Sequence, residues 1–180
     1  RLTRTEKQRA SFGFMIGSDA TPAFEGLRIV DLTQGLAGPF CAMLMAQNGA
    51  EVVKVEPPEG DWSRSLGVPA GPDRSAAFVA CNRGKRAIVA DLKTEEGQSI
   101  VRKLVAKADV FMESNRAGVA SRLGLGYEEM TALRDDLVYL SITGFGQEGL
   151  YASRPATDAV LQAFSGLMMS NPDIDGAPKR

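Results

Sequence analysis

Histidine is absent from all 180 residues of the chain. That absence excludes a Ser-His or Cys-His triad built from this polypeptide and any zinc site that relies on imidazole. Cysteine is scarce: Cys41 and Cys81 stand far apart without metal-ligand neighbours, which points to a reduced intracellular protein, not a disulfide framework. With no histidine to activate a thiolate, both read as small core residues and not as nucleophiles. No apolar run approaches the roughly 20 residues that cross a bilayer, so no membrane partner is expected. The net charge is −1 and there is no long basic run, which argues against a nucleic-acid partner.

What remains is an ordinary globular composition, 44% apolar and 24% charged, in a length that suits one domain with a real core. The opening residues are basic (Arg1, Arg4, Lys7, Arg9, with Ser11 and Ser18) and lack an apolar stretch. Two readings stand: the remnant of an organellar transit peptide, or a disordered leader or expression scar. The chain does not begin with Met, so a processed or excised piece is expected, with a leader at 1–24 and a single domain at 25–180. The cytoplasm is the expected compartment, the mitochondrial matrix the alternative.

Short apolar runs alternate with helical patterns. Strands are expected at 26–32, 51–56, 87–91, 109–113 and 137–143, the second halted by Pro57 and Pro58. Helices are expected at 39–47, after Thr94, at 127–134 and at 158–168, with 59–75 a surface loop rich in glycine, proline and aspartate. The helix after Thr94 is the clearest: Thr94 serves as N-cap, Glu95 and Glu96 favour the positive end of the dipole, and Ile100, Val101, Leu104, Val105 and Ala108 form one apolar face. Strands separated by helices predict an α/β fold, a Rossmann-like and mostly parallel sheet with helices on both faces. In such sheets ligands bind at the carboxyl ends of the strands. Here those ends carry residues 32–34, 56–57, 91–93, 114–116 and 144–146.

Single motifs leave alternatives open. The glycine loop at 35–39 is either an approach for an anion at a helix N-terminus or a tight strand-to-helix turn. Its spacing fits neither a dinucleotide fingerprint nor a P-loop. Arg83, Lys85 and Arg86 either neutralise phosphates or form a solvated charged turn. Asp158 is either an N-terminal helix charge or an acid, base or ligand contact.

Taken together, segments in this order go further: LRIVDLT (27–33), AGP (37–39), GAEVVKVE (49–56), NRGKR (82–86), DLK (91–93), DVFME (109–113), LGLGY (123–127), SITGFGQ (141–147) and AFSGL (163–167). From residue 26 to 180 the chain resembles the N-terminal part of a class III coenzyme A transferase, the family of formyl-CoA transferase, carnitine CoA-transferase and α-methylacyl-CoA racemase. The resemblance implies a Rossmann-like domain that binds CoA, truncated before a second domain, in a protein that forms an interlocked homodimer. The substrates implied are an acyl-CoA and a carboxylic acid acceptor, with no metal. CoA contacts are implied at Leu36, Ala37, Ala90, Asp91, Leu92, Lys93, Ser114, Asn115, Arg116, Arg122, Pro155, Ala156 and Thr157, with Arg122 on a phosphate of the nucleotide end. Asp158 matches a carboxylate beside the reacting centre.

In this family an aspartate attacks the acyl-CoA thioester, giving an aspartyl anhydride and CoA thiolate. The thiolate then attacks the enzyme carbonyl, and the acceptor carboxylate finally collects the CoA. By the resemblance that nucleophile lies beyond Arg180, so the 180-residue piece alone is expected to be inactive in transfer. Departures from the pattern are Leu36 where some members carry glutamine, Pro57 where some carry arginine, and Thr157 where the racemase branch carries its histidine. Alternatives are a racemase-type enzyme of the same family and a non-catalytic CoA-binding or interaction fragment.

Overall fold

The structure, a computed structural model, describes residues 21–170. Five parallel strands form one sheet in the order β3-β2-β1-β4-β5: β1 Arg28–Asp31, β2 Glu51–Glu56, β3 Arg86–Val89, β4 Val110–Glu113 and β5 Val138–Ser141. Their apolar runs follow from burial on both faces, since parallel strands are covered by crossover helices on each side. Alternate side chains along β1 supply two separate cores. Ile29 joins Val52, Val110 and Met112 beneath α1 (Ala37–Gln47), which contributes Ala42 and Ala46. Val30 and Leu32 join Val55 and Phe111 on the opposite face. That second core is closed by Val101 and Val105 from α3 (Glu95–Val105), and by Leu125 and Met130 from the segment after β4.

The remaining helices are short. They are α2 (Ala76–Asn82), α4 (Val119–Arg122), α5 (Tyr127–Thr131) and α6 (Asp158–Ser165), with 3-10 turns at Trp62–Ser65 and Leu167–Ser170. The strands and long helices fall where the sequence pattern put them. α1 begins two residues before Pro39, because a helix's first-turn amides have no intrahelical acceptor and proline is tolerated there. The expected helix at 158–168 stops at Ser165, where Gly166 takes a left-handed conformation (φ 78°), and resumes as a 3-10 turn. α2 and α4 were not foreseen. Ser75, whose Oγ accepts the Phe78 amide at 3.0 Å, is the signal that starts α2.

Because the chain steps outward from β1 to β3 and then returns to β4, the order reverses between β1 and β4. A ligand crevice is therefore expected above their carboxyl ends. The return passes through α3, whose start is closely constrained. Thr94 Oγ1 accepts the Gly97 amide at 3.1 Å, as expected of an N-cap. A Cβ on Gly97 would lie 2.1 Å from the Asp91 carbonyl oxygen. Alanine normally stabilises a helix relative to glycine, but backbone cannot yield at that distance. Gly97→Ala is expected to destabilise the fold by about 1–3 kcal/mol, and Thr94→Ala by about 1 kcal/mol. Urea midpoints of the two variants against the parent check both the sign and the order.

Candidate functional site

The β1 rim of the crevice is a glycine loop fastened from below. Gly38 packs so closely on Thr33 that a Cβ would lie 2.3 Å from the Thr33 Cβ, and Gly35 has φ 82°. Leu36 occupies the N-cap of α1 without a side-chain cap hydrogen bond, so the first-turn amides of Ala37 and Gly38 are left uncapped. Uncapped amides and the helix dipole together favour an anion there.

Beneath the loop lies a network of buried charges that sequence reading did not find. Lys54 and Asp61, at 1% and 0% side-chain exposure, pair at 2.8 Å through Asp61 Oδ2. Lys54 Nζ also donates to the Thr33 carbonyl at 2.7 Å. Asp61 Oδ1 accepts from the Gly35 amide (3.1 Å), the Ser63 amide (2.9 Å) and the Ser63 hydroxyl (2.8 Å). Glu56, at the end of β2, takes both guanidinium arms of Arg64, at 2.7 and 2.8 Å, and the Asp61 amide at 2.9 Å. Burial pushes the Glu56 carboxyl up, but Arg64, the Asp61 amide and the Lys54 charge prevail and hold it below its ordinary value. Asp61 behaves likewise: burial raises it, and the Lys54 ammonium with the Ser63 and Gly35 amides lowers it further.

A second pair anchors the other side of α1. Lys85 Nζ is buried and donates to Asp31 Oδ2 (2.8 Å), the Pro39 carbonyl (2.8 Å) and Asn82 Oδ1 (2.9 Å). Burial pulls its ammonium below the usual lysine range, partly offset by Asp31. The charge run at 82–86 thus divides: Lys85 is a structural cation, while Arg83 and Arg86 face water. The detectable signals were Lys54 between the valines of β2 and Asp31 at the end of β1. A polar group at a position buried in a parallel sheet must be paired.

On the β4 rim, Ser114 Oγ accepts the Gln34 amide at 3.1 Å, tying the two rims together. Glu113 is buried and accepts from the Asn115 amide (2.7 Å) and from the Ser141 hydroxyl, which in turn accepts from Gln147. Glu113, Ser141 and Gln147 line a cavity of about 380 Å³ with Arg116, Ser121, Tyr127 and Tyr139. Burial, reinforced by the charges of Glu113 and Glu129, pushes the Tyr139 phenol up, and its hydroxyl donates to the Leu125 carbonyl at 3.2 Å.

The residues singled out in the sequence divide between these rims, the core and neighbouring turns. Leu36 and Ala37 sit at the start of α1, Ser114 and Asn115 at the β4 exit, and Arg116 at the cavity. Arg122 is exposed and folds back on its own turn, its Nη1 3.2 Å from where a Gly118 Cβ would stand. Arg116 and Arg122 make no ion pair among the described residues. Ala90 is buried in the core, and Asp91 shapes the turn by accepting the Lys93 amide at 2.9 Å. Leu92 packs against the core, leaving Lys93 exposed. Pro155, Ala156 and Thr157 lead into α6 beside the β5 exit, where a Cβ on Gly144 would lie 2.2 Å from the Ala156 Cβ. Asp158 is exposed in the first turn of α6 and accepts from Gln162 Nε2 at 2.6 Å. Trp62, against Gly35, was not foreseen.

Residues 24–180 match the sequence model of CoA-transferase family III. The chain belongs to this family. It is 45% identical over 166 residues to the succinate–glutarate CoA-transferase of Agrobacterium fabrum, covering 88% of this chain and 42% of that protein. It is 44% identical over 169 residues to the acetyl-CoA:oxalate CoA-transferase of Acetobacter aceti, covering 91% and 43% respectively. Among solved structures, a CAIB/BAIF family protein from Brucella suis superposes with a TM-score of 0.82 at 43% identity, over 89% of this chain and 44% of that one. The chain therefore spans less than half the length of the family members it matches.

Because the buried pairs hold the β1 rim, breaking one strands a charge. Asp61→Ala is expected to cost about 3–5 kcal/mol, read as a fall in the denaturant midpoint. The depressed carboxyls also set a pH dependence. Their stabilisation is complete above the ordinary values of 4.5 for Glu56 and 3.8 for Asp61 and is lost as pH falls through their lower folded values. Denaturation curves from pH 7 downward should show stability declining below those ordinary values, less steeply in an Asp61→Asn background.

Proposed function

We propose that the whole protein transfers CoA from an acyl-CoA thioester to a carboxylic acid acceptor, and that this chain supplies its CoA-binding domain. The reading is carried by the 45% identity to a CoA-transferase along 88% of the chain. Three physical features support it: uncapped amides at the start of α1, two exposed arginines in the segment after β4, and a reversal of strand order, where ligands of such sheets bind. In this reading the α1 amides take the pyrophosphate. Arg122 and Arg116 hold phosphate at the nucleotide end, where guanidinium forks suit tetrahedral anions. The loops at 90–93 and 114–116, through backbone at the buried Ala90, enclose the nucleotide.

The transfer itself is assigned to an aspartate beyond residue 180 that forms the acyl and CoA adducts in turn, with Asp158 beside the thioester. The functional protein is a homodimer. The acceptor is a small carboxylic acid of the class named in its relatives, succinate, glutarate and oxalate among them. Racemisation through the histidine of the racemase branch is disfavoured, because Thr157 stands at that position.

Calorimetric titration of the 180-residue chain with CoA tests the binding role. Binding is expected, and Arg122→Ala should weaken it by roughly tenfold, the loss of about 1.4 kcal/mol of charge-assisted contact. Unchanged affinity in that variant removes Arg122 from the site, and absence of binding overturns the reading for this domain.

A further inference from the structure

We infer that Trp62 is a ligand contact of the crevice, its indole covering the apolar pantetheine arm of the bound CoA thioester. The inference rests on CoA being the ligand, and it assigns a residue that the family resemblance did not. Trp62 is the only tryptophan in the chain, and it is 56% exposed. Its position is nevertheless closely determined. The preceding residue is Asp61, buried and bound to Lys54, Ser63 and the Gly35 amide, so the start of the 3-10 turn is pinned to the glycine loop. The indole then lies against Gly35 so closely that a Cβ there would be 2.3 Å from Trp62 Cζ2.

A scattered exposed apolar side chain needs no explanation. Here three of them border one anion-attracting helix start: Trp62 beside Gly35, Leu36 at the N-cap, 45% exposed, and Phe40 one turn on, 49% exposed. A ligand whose phosphates are drawn to the open amides and to Arg116 and Arg122 must lay its uncharged part elsewhere. The arm of CoA, with its methylenes and gem-dimethyl group, is that part, and the apolar border around Gly35 is the surface that would desolvate it. The purine is assigned to the arginine side, because Arg116 lines the cavity at the β4 exit and Arg122 ends the helix that follows it, whereas Trp62 lies on the β1 rim, joined to the β4 rim by the Gln34–Ser114 bond.

A lone tryptophan makes the test direct. The emission of the 180-residue chain is titrated with CoA and with adenosine 3′,5′-bisphosphate, while calorimetry on the same samples reports binding of each. The expected result is a saturable change in emission with CoA, at the calorimetric midpoint, and no change when the bisphosphate binds. Trp62→Ala should weaken CoA by about tenfold, with Trp62→Phe restoring most of it and neither variant altering affinity for the bisphosphate. If the bisphosphate reproduces the full emission change, the indole sits on the purine and the assignment to the arm is overturned. If calorimetry shows CoA bound while emission and the Trp62→Ala affinity stay unchanged, Trp62 lies outside the site, and the CoA-binding reading survives. If CoA does not bind at all, both readings fall.

Discussion

The arrangement of the crevice depends on a lysine that has nowhere to put its charge except against Asp61. Lys54 occupies an inner strand of a sheet covered on both faces, flanked in sequence by Val53 and Val55, with 1% of its side chain exposed. An ammonium there is tolerable only if it is paired and hydrogen-bonded. Asp61 and the Thr33 carbonyl meet that requirement, and in doing so they join the segment after β2 to the segment after β1. The Asp31–Lys85 pair does the same for the approach to β3, with Lys85 reaching the Pro39 carbonyl within α1. Such pairs add little net stability compared with an apolar replacement. What they provide is a conditional geometry, since losing one member leaves the other as a stranded charge.

How much of this was legible in the sequence follows from the range of the interactions. Strands buried on both faces write themselves as continuous apolar runs, so β2 at Glu51–Glu56 was read to the residue. α3 carried both its cap, Thr94, and its apolar stripe within a dozen residues. The carboxyl-end location proposed for the site rests on topology. The 7-residue α2 was missed, because it is too short to show a period and follows a stretch rich in glycine and proline. The ionic scaffold was missed because its partners are distant in sequence. Nothing adjacent to Lys85 distinguishes a buried cation from its solvated neighbours Arg83 and Arg86, and only the fold brings Asp31 to it. Trp62 was obscured for a related reason: its loop has no periodicity, and its meaning comes from Gly35 across the turn.

The β1 and β5 sides of the sheet's carboxyl end are not equally supported. On the β1 side, the buried Lys54–Asp61 pair reaches residues 33–35 through the Thr33 carbonyl and the Gly35 amide, and Trp62 packs on Gly35. On the β5 side, α6 buries none of its residues, and its N-cap Thr157 makes no side-chain bond. Its support comes from Ala156 and Leu161 against Gly144 and from the edge-on contacts of Phe164 with Phe145 and Tyr151. Val160, Phe164, Leu167 and Met169 remain exposed.

That asymmetry corresponds to a division of labour in the proposed reaction. Holding the nucleotide and arm of a large cofactor requires preorganised amides and a fixed apolar wall, because ordering them at binding would consume affinity. The β1 rim has that character. Asp158, proposed beside the thioester, starts the helix with the least internal support, and its nearest described partner is Gln162 on the same helix. Among the described residues, that carboxylate is held only by its own helix. In the proposed reading, exclusion of water and placement of the reacting carbonyl fall to whatever packs on α6, and CoA binding by this domain is a property distinct from the transfer step.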